Sequence, residues 1–174
     1  MEFENKVIGI KDIPTIESIV LTPIEKSYRK VQIYNQLLLI SILLIVATLA
    51  LYFIKSLQNT TIFAIAVGGI LLFSFALFRL SYLSFLNKSY AIREHDVVYQ
   101  TGWLYKKIHV LPFARIQHCT LNSGVFERKF NLSSLSIFTA GGDSSTLKIE
   151  GLLVQDAEKL RNFIINKIKQ EDEQ

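Results

Sequence analysis

From Leu37 to Ile54 the chain reads LLLISILLIVATLALYFI, and from Thr60 to Phe78 it reads TTIFAIAVGGILLFSFALF, neither run holding a single charge. A helix over the first run reaches about 27 Å, close to the hydrocarbon thickness of a bilayer. Two core helices of a soluble protein would need apolar cover on every side, and the remaining chain is too small to supply it. The runs are therefore predicted to cross a membrane. Only Lys55, Ser56, Leu57, Gln58 and Asn59 separate them, which demands a tight antiparallel hairpin with both chain ends on one side. A cleaved signal peptide is not expected, since the first run starts far into the chain and lacks a small-residue cleavage site.

Charge at the flanks sets the orientation. Lys26, Arg29 and Lys30 precede the first run and Arg79 and Lys88 follow the second, against Lys55 alone between them. The positive-inside rule then places both termini in the cytosol and the connection outside, in an inner-membrane, multi-pass protein. Gly68 and Gly69 are candidate helix-packing residues, within the hairpin or between protomers, because small residues let helix backbones approach. Neither run carries an ionisable residue at its centre, which disfavours a transporter acting alone. The 19 basic residues are dispersed and the net charge is only +4, so nucleic acid is not an expected partner whereas the lipid bilayer is. Cys119 is the single cysteine, which excludes an intrachain disulfide.

Beyond the membrane runs the rhythm changes to that of strands. Tyr90 and Ile92, then Val97 and Tyr99, alternate with polar residues around Glu94-His95-Asp96, the pattern of a β-hairpin. Further strands are predicted at Lys107 to Leu111, Arg115 to Leu121, Leu135 to Thr139 and Thr146 to Glu150, divided by Pro112, Asn122-Ser123-Gly124 and Gly141-Gly142-Asp143-Ser144-Ser145. A closing helix is predicted with Asp156 as N-cap and Ala157, Leu160, Phe163, Ile164 and Ile168 on its packing face. Before the membrane, Ile13, Pro14, Ile19, Leu21 and Pro23 read as an extended lead-in, and Ile24 to Tyr34 as a helical start.

Five short motifs follow the spans in order: GWL at Gly102 to Leu104, LPFARIQ at Leu111 to Gln117, GVFERKFNL at Gly124 to Leu132, LSIFTAGG at Leu135 to Gly142 and IEGL at Ile149 to Leu152. With the two spans they resemble the membrane-flanked bacterial pleckstrin-homology (PH) domain family, YdbS-like, over roughly Tyr34 to the C-terminus. The resemblance implies a two-helix transmembrane hairpin plus a mainly-β PH-like domain, with two packed antiparallel sheets of seven strands closed by a C-terminal helix. Boundaries follow: a lead-in over 1–33, the hairpin over 34–79 with spans at about 37–54 and 60–78, and the PH-like domain over 80–174. Asn131 stands where the family often has glycine, and asparagine tolerates the positive φ of such a turn.

Trp103, Tyr105, Lys106 and Lys107 join amphipathic aromatics to positive charge, which suits a membrane interface or a partner contact. Arg115 and Arg128 are each either a contact for an anionic headgroup or partner carboxylate, or a loop anchor. The TAGG run with Asp143-Ser144-Ser145 reads as a hairpin turn, since it lacks the Gly-Lys-Ser/Thr ending of a phosphate loop. In eukaryotic PH domains a basic cluster between the first two strands holds phosphoinositides, but the corresponding turn here is the acidic Glu94-His95-Asp96, so that ligand does not carry over.

His95, His109 and His118 lack metal-ligand spacing, and Ser123 and Ser144 lack a nucleophile elbow. No catalysis, metal or cofactor is expected. The function these features favour is a membrane-anchored interaction or assembly module at the inner leaflet, in its simplest form beside a second copy of itself; the family resemblance implies a second membrane protein with PH-like domains as the other partner. An accessory subunit for lipid handling, transport or envelope defence is the alternative, and a hydrolase using Cys119 and His118 a third reading.

Overall fold

The computed structural model describes residues 19–53, 60–139 and 146–172. Helix α1 (Tyr28–Phe53) and helix α2 (Thr60–Leu86) contain the two apolar runs. Their most apolar stretches are entirely unburied by the rest of the protein, which separates them from core helices. They are the transmembrane helices. Ser41, Thr48 and Ser74 each donate to a carbonyl one turn back in their own helix, so these span hydroxyls are satisfied locally.

Helix α2 runs eight residues beyond Phe78, to Leu86, because Leu80 to Leu86 contains neither glycine nor proline and Phe85 has a place to pack. The helices are joined near their β-domain ends by Gln36, whose Nε2 donates to the Leu77 carbonyl at 3.2 Å and to Ser81 Oγ at 2.7 Å. A side chain added at Gly68 or Gly69 would meet nothing within 4 Å, so neither marks a close approach of α1.

Two antiparallel sheets follow. The first has the order β1 (Thr22–Pro23), β2 (Ser89–Ile92), β3 (Asp96–Thr101) and β4 (Lys107–Pro112). The second has β5 (Ile116–Asn122), β6 (Leu132–Thr139) and β7 (Thr146–Leu153). A 3-10 turn at Phe113–Arg115 links the sheets, and among the described residues the sheets share no strand pairing that would close them into a barrel. Helix α4 (Val154–Asp172) packs on the second sheet through Ala157, Leu160 and Ile164, and its Phe163 meets Phe113 edge-on. The helix begins two residues before Asp156, which therefore lies in the first turn, where its charge suits the helix dipole, rather than capping it.

Seven strands are present among the described residues, as the family resemblance implies, but one of them comes from before the membrane. Strand β1 pairs Thr22 with Tyr90 and Pro23 with Ser89, so the lead-in supplies an edge strand to the first sheet. Strand β1 is itself exposed, but Ile24, Tyr28 and Val31 after it are buried in a cluster with Leu132. Arg115 closes the 3-10 turn and does not start β5, because Pro112 at extended φ/ψ precedes a tight turn that buries Phe113. The predicted Gly141 to Ser145 turn, the Lys55 to Asn59 connection, and Ile13 and Pro14 lie outside the described residues.

Candidate membrane interface

Strand register decides where the predicted interface residues sit. Because β2 and β3 run antiparallel, with Ser89 opposite Gln100, the loop after β3 emerges at the end of the sheet where the chain leaves α2. Gln100 Nε2 also reaches the Asn87 carbonyl at 3.5 Å. That loop holds Trp103, Leu104 and Tyr105 at 46%, 72% and 76% exposure, followed by exposed Lys106 and Lys107. Gly102 makes the bend: its φ of +92° suits glycine, and a Cβ there would collide with the Tyr105 carbonyl. Three large apolar side chains held outward beside two ammonium groups form an amphipathic tip.

The opposite end of the sheet is chemically different. Asp96 pairs with Pro112, and the Phe113 N–H donates to the His95 carbonyl at 3.0 Å, so exposed Arg115 lies there, about 17 Å along the strand from the tip. The Glu94-His95 turn is at this remote end too. Its neighbour Arg93 is tied to Asp96, with Nε donating to Oδ1 at 2.5 Å, which leaves no free cluster of cations on the turn.

Arg128 belongs to neither end. It is exposed on a short helix that sequence pattern did not reveal, α3 (Val125–Lys129). Glu127 fixes this helix, accepting from the Gly124 N–H at 2.8 Å and from Ser134 Oγ at 2.6 Å. Asn131 ends it at φ +56°, as expected for a residue standing in for glycine, and its carbonyl accepts from the Val154 N–H at 3.2 Å. Phe126 stacks on Tyr34 of α1 at 5.5 Å between ring centroids, which fastens α3 to the membrane hairpin.

The hairpin and the β-domain are locked at a second place. The Glu25 N–H donates to the Gly151 carbonyl at 2.9 Å, and Tyr28 packs over Gly151, where a Cβ would stand 2.8 Å from the tyrosine ring. Gly151 also has φ +70°, so both its backbone and its missing side chain are used. Beside it Glu150 pairs with Lys88 and, at 3.3 Å, with Lys148. Burial pushes the Glu150 carboxyl up, but the two lysines and a Tyr28 hydrogen bond outweigh burial and hold it below the usual carboxylate range. Burial, with the Glu150 charge, pushes the Tyr99 phenol well up. No local pattern announces this cluster, whose members come from α1, β3, β7 and the connecting segments before α1 and after α2.

Cys119 and His118 do not form a catalytic pair. They fall on opposite faces of β5: His118 stacks on Phe138 at 4.4 Å, while Cys119 is buried under α4 near the Arg161 carbonyl. Burial pushes the Cys119 thiol up, only partly offset by Arg161, the reverse of an activated nucleophile. Among the described residues no group of three or more His, Cys, Asp or Glu side chains could hold a metal.

The bacterial PH domain family matches residues 35–168, most of the chain. The chain belongs to that family. Among curated proteins, YdbS of Bacillus subtilis (strain 168), described as a UPF0699 transmembrane protein, is 29% identical over 75 residues. The match covers 43% of this chain and 45% of YdbS, so the chain spans less than half the length of this relative. No solved structure matches. The bacterial PH domain here is thus joined to two transmembrane helices, and its family match begins on the first of them, at Asn35.

Proposed function

We propose that this bacterial PH domain is a membrane-anchored interaction module, held against the inner leaflet by its helices and by the Gly102–Lys106 tip. The observation that carries this reading is the tip itself, with Trp103, Leu104 and Tyr105 exposed at the end of the sheet where α2 ends. Aromatic rings with neighbouring lysines suit the headgroup layer of an anionic leaflet. Both termini are then cytosolic, in agreement with the basic flanks. Confinement to a thin layer beside the bilayer raises the effective concentration of the domain for any membrane-bound partner, so a weak contact suffices for assembly with a second PH-like membrane protein or a second copy. Arg115 faces the cytosol in this arrangement and is available to such a partner. No step of this function needs catalysis.

Trp103 is the chain's single tryptophan, so its fluorescence reports on the tip alone. In proteoliposomes of the full chain, lipids brominated near the headgroup are expected to quench Trp103, with little quenching by aqueous iodide. Efficient iodide quenching without bromolipid quenching would overturn the docking. Crosslinking in native membranes followed by mass spectrometry tests assembly, and recovery of the lone protomer would remove it. One observation favours a lipid-handling role as the second reading: a largely apolar cavity of about 460 Å³ at the foot of α2, lined by Ile24, Phe85 and Leu86 with Glu25, Lys26 and Lys88 at its polar side.

A further inference from the structure

We infer that the seam between α1 and α3 is a binding site for the phosphate of an anionic phospholipid, distinct from the Trp103 tip. Tyr34, Phe126 and Phe130 form one aromatic cluster, with Tyr34 at 5.5 Å and 5.7 Å from the two phenylalanine rings. Two ammonium groups from different elements sit on it: Lys129 Nζ lies 4.9 Å from the Tyr34 ring centre and Lys30 Nζ 5.8 Å from that of Phe130. Ring faces hold cations by their quadrupole without neutralising them, so both charges stay available to an anion. The one acid of α3, Glu127, stays charged, but its two carboxylate oxygens are directed to Ser134 and to the Gly124 N–H rather than to either lysine. Arg128 adds a third exposed cation on the same short helix.

Depth favours a lipid over a soluble anion. Tyr34 precedes the first residue of the apolar run by three positions, about 5 Å along the helix, which sets the cluster at the level of the headgroups. Tyrosine at that level and lysines reaching along ring faces are arranged as interfacial anchors are. A phosphodiester there meets Lys30 and Lys129 from two elements, while its acyl chains lie along α1, where Leu37, Leu38 and Ile42 are exposed. The site would make α3 the sensor of lipid charge, coupled through Asn131 and Val154 to the start of α4.

This inference rests on the β-domain facing the leaflet. Full-length protein from nanodiscs of equal phosphatidylglycerol and phosphatidylcholine, examined by native mass spectrometry, is expected to retain phosphatidylglycerol preferentially. K30Q/K129Q should lose about fivefold of that preference for each lysine removed, whereas K30R/K129R should keep it. K106Q/K107Q, at the tip, should also keep it. No preference in the wild type, or an undiminished one in K30Q/K129Q, overturns the seam site. Loss in K106Q/K107Q alone also overturns it, while leaving tip docking intact. Absence of Trp103 quenching with the seam preference preserved would instead remove tip docking only.

Discussion

The seam around Gly151 and the tip at Gly102 are both built on a glycine with positive φ, yet they use it in opposite ways. At Gly151 the missing side chain admits Tyr28, and the surrounding polar groups find partners within the protein: Glu150 with Lys88 and Lys148, Glu25 with the Gly151 carbonyl. At Gly102 the backbone turns on itself and pushes Trp103, Leu104 and Tyr105 outward. The first glycine closes a joint, and the second opens a surface. A region satisfied by its own atoms contributes stability, whereas one that leaves apolar area exposed has that area free for contact with lipid or another molecule.

Substitutions should separate these two roles. The largest effect is expected from Gly151→Val, which combines an unfavourable left-handed backbone with a clash against Tyr28 and should cost about 3 kcal/mol in unfolding of the detergent-solubilised chain. A loss under about 1 kcal/mol would show that Tyr28 is not seated on Gly151. Next, Lys88→Met leaves Glu150 without its closest cation and should cost about 2 kcal/mol, largely recovered in Lys88→Met/Glu150→Leu. The same pair predicts a pH dependence. The folded Glu150 carboxyl is depressed, so the pair's contribution is complete above the ordinary carboxylate pKa and is lost as pH falls through the lower folded value. Glu150→Gln should flatten that acid limb in a pH series of melting temperatures, and an unchanged limb would assign it to other groups.

Asn131→Val should cost about 1–2 kcal/mol through its positive φ, while Asn131→Gly should stay within about 0.5 kcal/mol of the parent. Equal behaviour of the two would mean that the turn adapts. The smallest stability change, under about 0.5 kcal/mol, is expected for Leu104→Ser/Tyr105→Ser at the tip. That variant should nevertheless reduce bromolipid quenching of Trp103. If it melts early and keeps its quenching, the division between joint and surface fails.

How much of this was legible in the sequence depended on how local each feature is. The β2–β3 hairpin needs only alternation around a turn, and the prediction from Tyr90 to Tyr99 agrees with the pairs Tyr90–Tyr99 and Ile92–Val97. Asn131 was legible for the same reason, since its φ is a property of one residue in one turn. Strand β1 was not, because two residues, one of them proline, show no periodicity and form a strand only against β2. Helix α3, five residues long, is also too short to show a period, and is held by Glu127 and by stacking on Tyr34 from another part of the chain. Among the interface candidates, Trp103 to Lys107 were chosen by their chemistry, but only the antiparallel register sets them beside the foot of α2 and sends Arg115 to the far end.

The sequence by itself determined the membrane spans, since an uncharged apolar run of sufficient length satisfies its backbone internally and finds its solvent in lipid wherever the rest of the chain goes. Tertiary structure alone decided that the segment before the first span belongs to the β-domain, that Lys88 meets Glu150, and that Lys30 and Lys129 share an aromatic cluster. Those are contacts between residues far apart in the chain, and no spacing encodes them, because their distance is fixed only when two sheets, a hairpin and a short helix have packed.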